Sequence, residues 1–362
     1  MTLFLDNADI RQVLDMGLAV DALEEAYIAL AAGDGVCRPR IDIEIPTGAD
    51  GKTYRWGTME GGSAGGYFAI RMKSDIIYES DDTGVRTIEK YCVEPGTFCG
   101  LIFLFDTRDG APLALINDGH LQHVRVGADS AIGVKHMARG DARVVGMLGS
   151  GGMARSHAEA FAKVRPISRI QVYSPTPEHR NAYAQEMRET LGIETVAVDT
   201  PQAACAGADI VAGCTDAKEP VLYGDWLEPG THITCIGGRP DASAFARVDI
   251  ALRLGDSPAP RGLPEFELKD EHLTYAVRSR NGDAPAKRGH GTQVEGRTVR
   301  LADLVSGAAK GRTSADQITF SERGNIQGAQ FHAVAGKVYE IAAKRGLGRE
   351  IPTSWFLQDI RN

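Results

Sequence analysis

The sequence predicts an α/β protein of two domains, and three observations lead there. Residues 143–154, RVVGMLGSGGMA, pass from an apolar strand through a run of glycines into a helix. Downstream of them, short apolar runs alternate with helical stretches, as a doubly wound parallel sheet requires. Upstream, from about Arg40 to Asn117, short alternating runs separated by glycine-rich or charged turns read as a mainly β segment.

In chain order, residues 9–32 have helical periodicity, with Val20, Leu23, Ala26, Tyr27 and Leu30 on one face and Gly33 as a stop. The runs IDIEIP, TYRWGTM, GYFAIRM, KYCVE and GLIFLF follow as strands. Between two of them, residues 74–98 form an extension that either shapes a pocket or lengthens a surface hairpin. Residues 121–138 read as a helix leading into the glycine-rich turn. The strand before that turn comes from Val144, Val145, Met147 and Leu148, and the helix after it carries His157, Ala160, Phe161 and Val164 at helical spacing. A second strand at 170–173 completes a βαβ unit, and further strands are expected at 195–198, 210–213 and 232–236. A closing helix at 326–345 ends at Gly346 and belongs back against the first domain. The division that results is 126–319 for the nucleotide domain, with 1–125 and 320–362 forming one discontinuous α+β domain.

Gly149, Gly151 and Ala154 occupy the small-residue positions of G-x-G-x-x-G/A, the fingerprint of a Rossmann domain. They serve a tight turn, close approach of backbone to a pyrophosphate, and close packing of helix on strand. Ser150, Gly152 and Met153 complete the loop, whose first helical turn would aim free N–H groups at phosphates. At the end of the second strand an NAD enzyme usually places Asp or Glu on the ribose 2′-hydroxyl. This chain has Ser174-Pro175-Thr176, with His179 and Arg180 just beyond. Hydroxyls and a guanidinium suit a 2′-phosphate, which a carboxylate would repel, so NADP(H) is the preferred cofactor and NAD(H) the alternative. The competing view of Arg180 is an ordinary exposed residue opening the next helix.

The 362 residues suffice for two cores, and 43% hydrophobic with 24% charged residues is ordinary globular composition. A formal charge of −8 argues against nucleic acid or an anionic membrane as partner. A basic stretch between Arg278 and Arg300, interrupted by glycines and Asp283, reads as a solvated loop. The six cysteines form no C-x-x-C pair, so neither a metal nor a disulfide framework is expected. The first residues show no basic stretch followed by a long apolar core, and no run reaches the length of a membrane span, so a cytoplasmic location is expected.

In order, these pieces resemble the ornithine cyclodeaminase/mu-crystallin family over nearly the whole chain. Pro39-Arg40, or R-P-R from Arg38, precedes the strand lysine Lys73 in AIRMKSD. LFDTRDGAPLALINDGHLQHVRVGADSA matches the family block whose arginine is Arg125 here. G-x-G-G-x-A, then ADIV-x-x-C-T-D from Ala208 to Asp216, then PGTHITCIGGRPD complete the series, with Thr215 placed among the cofactor contacts. The resemblance implies a nicotinamide-binding Rossmann domain, a second domain that binds substrate and mediates homodimerisation, and hydride transfer at the α-carbon of a small amino or imino acid. It also implies Arg40 and Arg125 as a carboxylate clamp, with Arg38 a rival to Arg40, and Lys73 as a substrate contact able to shuttle protons.

One departure separates activities. Ornithine cyclodeaminases carry an aspartate where this chain reads IGGRPDASAF; Gly238 or Arg239 falls there, depending on the alignment. The resemblance is therefore closer to ketimine reductases. Asp241, a candidate catalytic carboxylate, keeps cyclodeamination with tightly bound NAD open, although a turn aspartate after Pro240 is also ordinary turn chemistry. Near the family's acidic C-terminal position the chain has Gly328. A nicotinamide-binding protein without activity is the third reading.

Overall fold

The computed structural model describes residues 1–81, 87–263, 273–277, 294 and 296–360. Among these residues, eight parallel strands form the nucleotide sheet, in the order Glu194–Ala197, Arg169–Tyr173, Val144–Leu148, Ile210–Gly213, His232–Cys235, Thr319–Glu322, Ile250–Arg253, Thr298–Arg300. The order reverses between Val144–Leu148 and Ile210–Gly213, and at such a switch point a crevice opens outside the carboxyl ends of the strands. Val145, Met147 and Leu148 are buried because helices cover both faces, which is why this strand reads as a continuous apolar run.

Among the described residues the second sheet has ten strands. Its main path is Leu273–Ala276, Ile41–Pro46, Thr53–Ser63, Tyr67–Ser80, Cys99–Asp106, Pro112–Asn117, Thr2–Leu5, Arg349–Ile351, with Gly35–Cys37 and Thr87–Tyr91 as side branches. Met59, Ala69, Ile102, Leu104, Ala114 and Ile116 alternate onto one buried face. The closing helix, Gln327–Arg345, packs there through Phe331, Val334 and Val338 and ends on Gly346 in the left-handed region.

Several boundaries differ from expectation. Residues 9–32 form two helices, Asn7–Val13 and Met16–Ala32, because Asp15 caps the second by accepting from the Leu18 N–H at 2.9 Å. A strand, Thr2–Leu5, precedes them. The 74–98 extension lengthens a hairpin: Tyr67–Ser80 pairs with Thr87–Tyr91. That hairpin also reaches the nucleotide domain, where Thr87 bridges Ala217 and Glu79 pairs with Lys218. Thr319–Glu322 lies in the nucleotide sheet, while Leu273–Ala276 leaves the nucleotide half to pair in parallel with Ile41–Pro46. Most of the basic stretch between Arg278 and Arg300 lies outside the described residues; its end forms the strand Thr298–Arg300.

Candidate active site

The glycine-rich turn has the shape that a pyrophosphate needs. Gly149 has φ +117, and a Cβ there would stand 2.2 Å from the Cys214 carbonyl oxygen, so only glycine carries the chain from Val144–Leu148 past the end of Ile210–Gly213. Gly151 is the N-cap of Gly152–Val164, and a Cβ built on it meets nothing within 4 Å. The cap has no side-chain acceptor, which leaves the first N–H groups of the helix available to an anion over open space. Ala154 is fully buried, and its carbonyl accepts from Tyr183 Oη at 3.1 Å. Met153 is half-buried on the first turn. These residues fit a dinucleotide.

At the end of the second strand, Ser150 Oγ donates to Ser174 Oγ at 3.0 Å, joining the glycine-rich loop to the end of Arg169–Tyr173. Thr176 is the N-cap of Pro177–Leu191, but its side chain makes no capping bond. Arg180 is not an exposed surface cation. Its side chain is 11% exposed, donating to the Ser174 carbonyl at 3.0 Å and to Asp199 at 2.6 Å, and Asp199 is itself 94% exposed. Thr215 follows the strand Ile210–Gly213, and its Oγ1 accepts from the Ala217 N–H at 3.3 Å.

The second half of the site is a polar end on the otherwise apolar face of the mixed sheet. Period-two alternation puts Asp42 and Glu44, Arg55 and Gly57, and Arg71, Lys73 and Asp75 on that face, with Asp42, Gly57, Lys73 and Gly100 directly opposite one another. Two glycines therefore flank Lys73. A Cβ at Gly57 would stand 2.4 Å from Asp42 Oδ1 and 3.0 Å from Lys73 Cε, and one at Gly100 would overlap the Asp118 carboxylate. Lys73 Nζ donates to Asp75 Oδ2 at 2.8 Å, and Arg40 Nε to Asp42 Oδ1 at 2.8 Å. Burial, reinforced by the Arg40 guanidinium, pushes the Lys73 amine down to about 7 against the pull of Asp75 and Asp42. Arg38 takes another direction, pairing with Glu60 at 2.7 Å and remaining 41% exposed, so Arg40 is the one that joins Lys73.

Arg71, which the sequence reading passed over, links the two ends of the cluster. It pairs with Asp118 at 2.5 Å and lies 5.5 Å from the Phe331 ring, and Arg125 stands 4.7 Å from the same ring. Its signal was available: Arg71 is two residues before Lys73 and so shares its face. Arg125 comes from the helix Gly119–Met137 and donates to Gln122 Oε1 at 2.8 Å and to Gln330 Oε1. Burial and the neighbouring Arg323 and Arg71 push Arg125 down to about 9. Arg323, just past Thr319–Glu322 at the carboxyl end of the nucleotide sheet, pairs with the fully buried Asp129 at 3.0 Å. The cation cluster thus abuts the crevice into which the glycine-rich loop opens.

Asp241 sits at a helix end. It is the N-cap of Ala242–Ala246; its carboxylate accepts from the Ala244 N–H at 2.8 Å and from Ser243 Oγ, which hold its pKa below the usual range. Among the described residues no cation of the cluster is among its partners, and the helix end is the structural role that turn chemistry after Pro240 offers beside the catalytic one. Gly238, at φ +68, has no room for an aspartate: its Cβ would stand 2.4 Å from Thr215 Cγ2. Arg239 is exposed.

The family model for the ornithine cyclodeaminase/mu-crystallin family matches residues 95–344. The chain belongs to that family. Family members of known name include a Delta(1)-pyrroline-2-carboxylate reductase from Bacillus cereus, 30% identical over 291 residues, covering 76% of this chain and 78% of the relative. An alanine dehydrogenase from Archaeoglobus fulgidus is 24% identical over 97% of this chain and 98% of its own. Among solved structures, the Delta(1)-pyrroline-2-carboxylate reductase of Thermococcus litoralis, in complex with NADH and L-proline, superposes with a TM-score of 0.74 at 25% identity, covering 97% of this chain and all of that one. Among the described residues no helix is long and apolar enough to cross a membrane, and no group of three His, Cys, Asp or Glu side chains could hold a metal.

Proposed function

We propose that this family member is an NAD(P)-dependent oxidoreductase that reduces the C=N bond of a small α-imino acid to the amino acid. The observation that carries the reading is the buried Lys73 amine, set between Arg40 and Asp75 in a cation cluster that abuts the dinucleotide crevice. A bound nicotinamide supplies the hydride. The protein's own residues do the rest: Arg125 and Arg40 hold the carboxylate, the covering helix excludes water, and Lys73 Nζ gives a proton to the substrate nitrogen. The names of the relatives from Bacillus cereus and Thermococcus litoralis support the same substrate class. NADPH and NADH oxidation against pyrroline and piperideine carboxylates, and against keto acids with ammonia or methylamine, tests it. Turnover on at least one imino acid is expected; silence across the panel with ammonia release from ornithine would replace it with cyclodeamination.

NADP(H) is the cofactor we favour. Arg180 lies beside Ser174 and Thr176, where this reading puts the ribose, and its outer partner Asp199 is a solvent-facing carboxylate that a 2′-phosphate can replace. Arg180→Glu is expected to weaken NADPH binding by about 10-fold or more, the loss of one charge-assisted contact, with NADH little changed. Equal effects on the two cofactors would reject the preference.

The chain is proposed to work as a homodimer through the other face of the mixed sheet. Leu101, Phe103, Phe105, Leu113 and Leu115 alternate onto that face and remain only half-buried in the single chain. Light scattering on Leu101→Asp should give a monomer where the parent gives a dimer; a parent monomer removes the proposal.

A further inference from the structure

The cations of the site differ in their partners. Arg40 faces Asp42, Arg55 faces Glu44, Arg71 faces Asp118, Lys73 faces Asp75 and Arg323 faces Asp129. Arg125, among the described residues, has no carboxylate in ion-pair contact: its two terminal nitrogens donate to amide oxygens, Gln122 Oε1 at 2.8 Å and Gln330 Oε1. Its Nε is buried without an acceptor. Gln330 is itself fixed, since its Nε2 donates to Tyr27 Oη at 2.8 Å and to Asp129 Oδ1 at 3.1 Å.

An amide oxygen orients a guanidinium as well as a carboxylate oxygen does but leaves its charge intact. Five cations of the cluster are matched by acids before any substrate arrives, and a sixth is not. We propose that Gln122 and Gln330 are positioning residues that aim Arg125 without neutralising it, so that the substrate carboxylate becomes its counter-ion. The inference rests on the imino-acid reading and deepens it by assigning two residues to carboxylate recognition. Gln122 is the one to vary, because it is half-buried and its side chain bonds Arg125, whereas an acid at 330 would face the buried Asp129.

The test compares Gln122→Glu, which keeps the shape and adds the charge, with Gln122→Met, which removes the acceptor and adds none. Binding of pyrrole-2-carboxylate to the NADP⁺ complex is measured by calorimetry, alongside NADPH affinity. The expected result is a Kd raised about 10-fold or more by glutamate, a smaller rise with methionine, and NADPH affinity unchanged in both. Glutamate behaving like the parent, or no worse than methionine, overturns the proposal, as does a parallel loss of NADPH binding, which would make Gln122 a structural residue. A parent that binds no carboxylate overturns it too. Turnover on the imino-acid panel is read separately, so the proposal can fail while the reductase reading stands.

Discussion

Replacing Lys73 with alanine is expected to lower kcat for imine reduction by about 10²- to 10⁴-fold, the range for loss of a positioned proton donor, with cofactor affinity unchanged. The residue lies on the mixed sheet, whereas the glycine-rich loop joins a strand and helix of the nucleotide sheet, which is why the two effects separate. The pH dependence has a definite sign. An amine at about 7 is charged below that value and neutral above it. Reduction needs the ammonium form as donor, so its kcat/KM should be level below pH 7 and fall about tenfold per unit above it; amino-acid oxidation needs the free amine and should rise over the same interval. Lys73→Ala should remove that inflection. Turnover within a few-fold of the parent, or an unchanged pH profile, would take Lys73 out of the mechanism.

Arg125→Met should lower kcat/KM by a factor of about 30 to 5 × 10³, since truncating one partner of a buried charge pair costs about 2–5 kcal/mol or more. Its effect on stability should be far smaller. In the free protein Arg125 is a buried cation held by amides, with its Nε unsatisfied, and removing it relieves that desolvation. Against this stands the orphaned Gln330 Oε1, at about 1–3 kcal/mol. The two changes oppose each other, so a melting temperature within a few degrees of the parent is expected beside a nearly inactive enzyme. Loss of folding together with activity would mean that Arg125 is structural.

The glycine-rich turn and the closing helix were legible because each rests on local chemistry: glycine where backbone must pass backbone at Cys214, and a 3.6-residue period that stops at Gly346. The break at Asp15 was missed because an aspartate inside a helical period reads the same as a cap until the preceding turn is seen to stop. Arg71 could have been found by period-two alternation from Lys73. Gln122 and Gln330 could not, since their meaning depends on Arg125 lying between residues far apart in the chain. Asp241 shows the reverse situation: a carboxylate near the right motif that also serves a helix end, a role the sequence alone does not separate from a catalytic one.

The ladder between Leu273–Ala276 and Ile41–Pro46 means that cutting the gene at the apparent domain boundaries would not yield two sound modules. A fragment limited to 1–125 and 320–362 would lose its terminal strand and expose the edge formed by Ile41–Pro46, where Ile43 and Ile45 are already partly exposed. An uncovered edge carrying apolar side chains invites intermolecular strand pairing. The fragment should therefore aggregate where the whole chain does not, and swapping nucleotide modules between relatives would have to carry that strand's partner along.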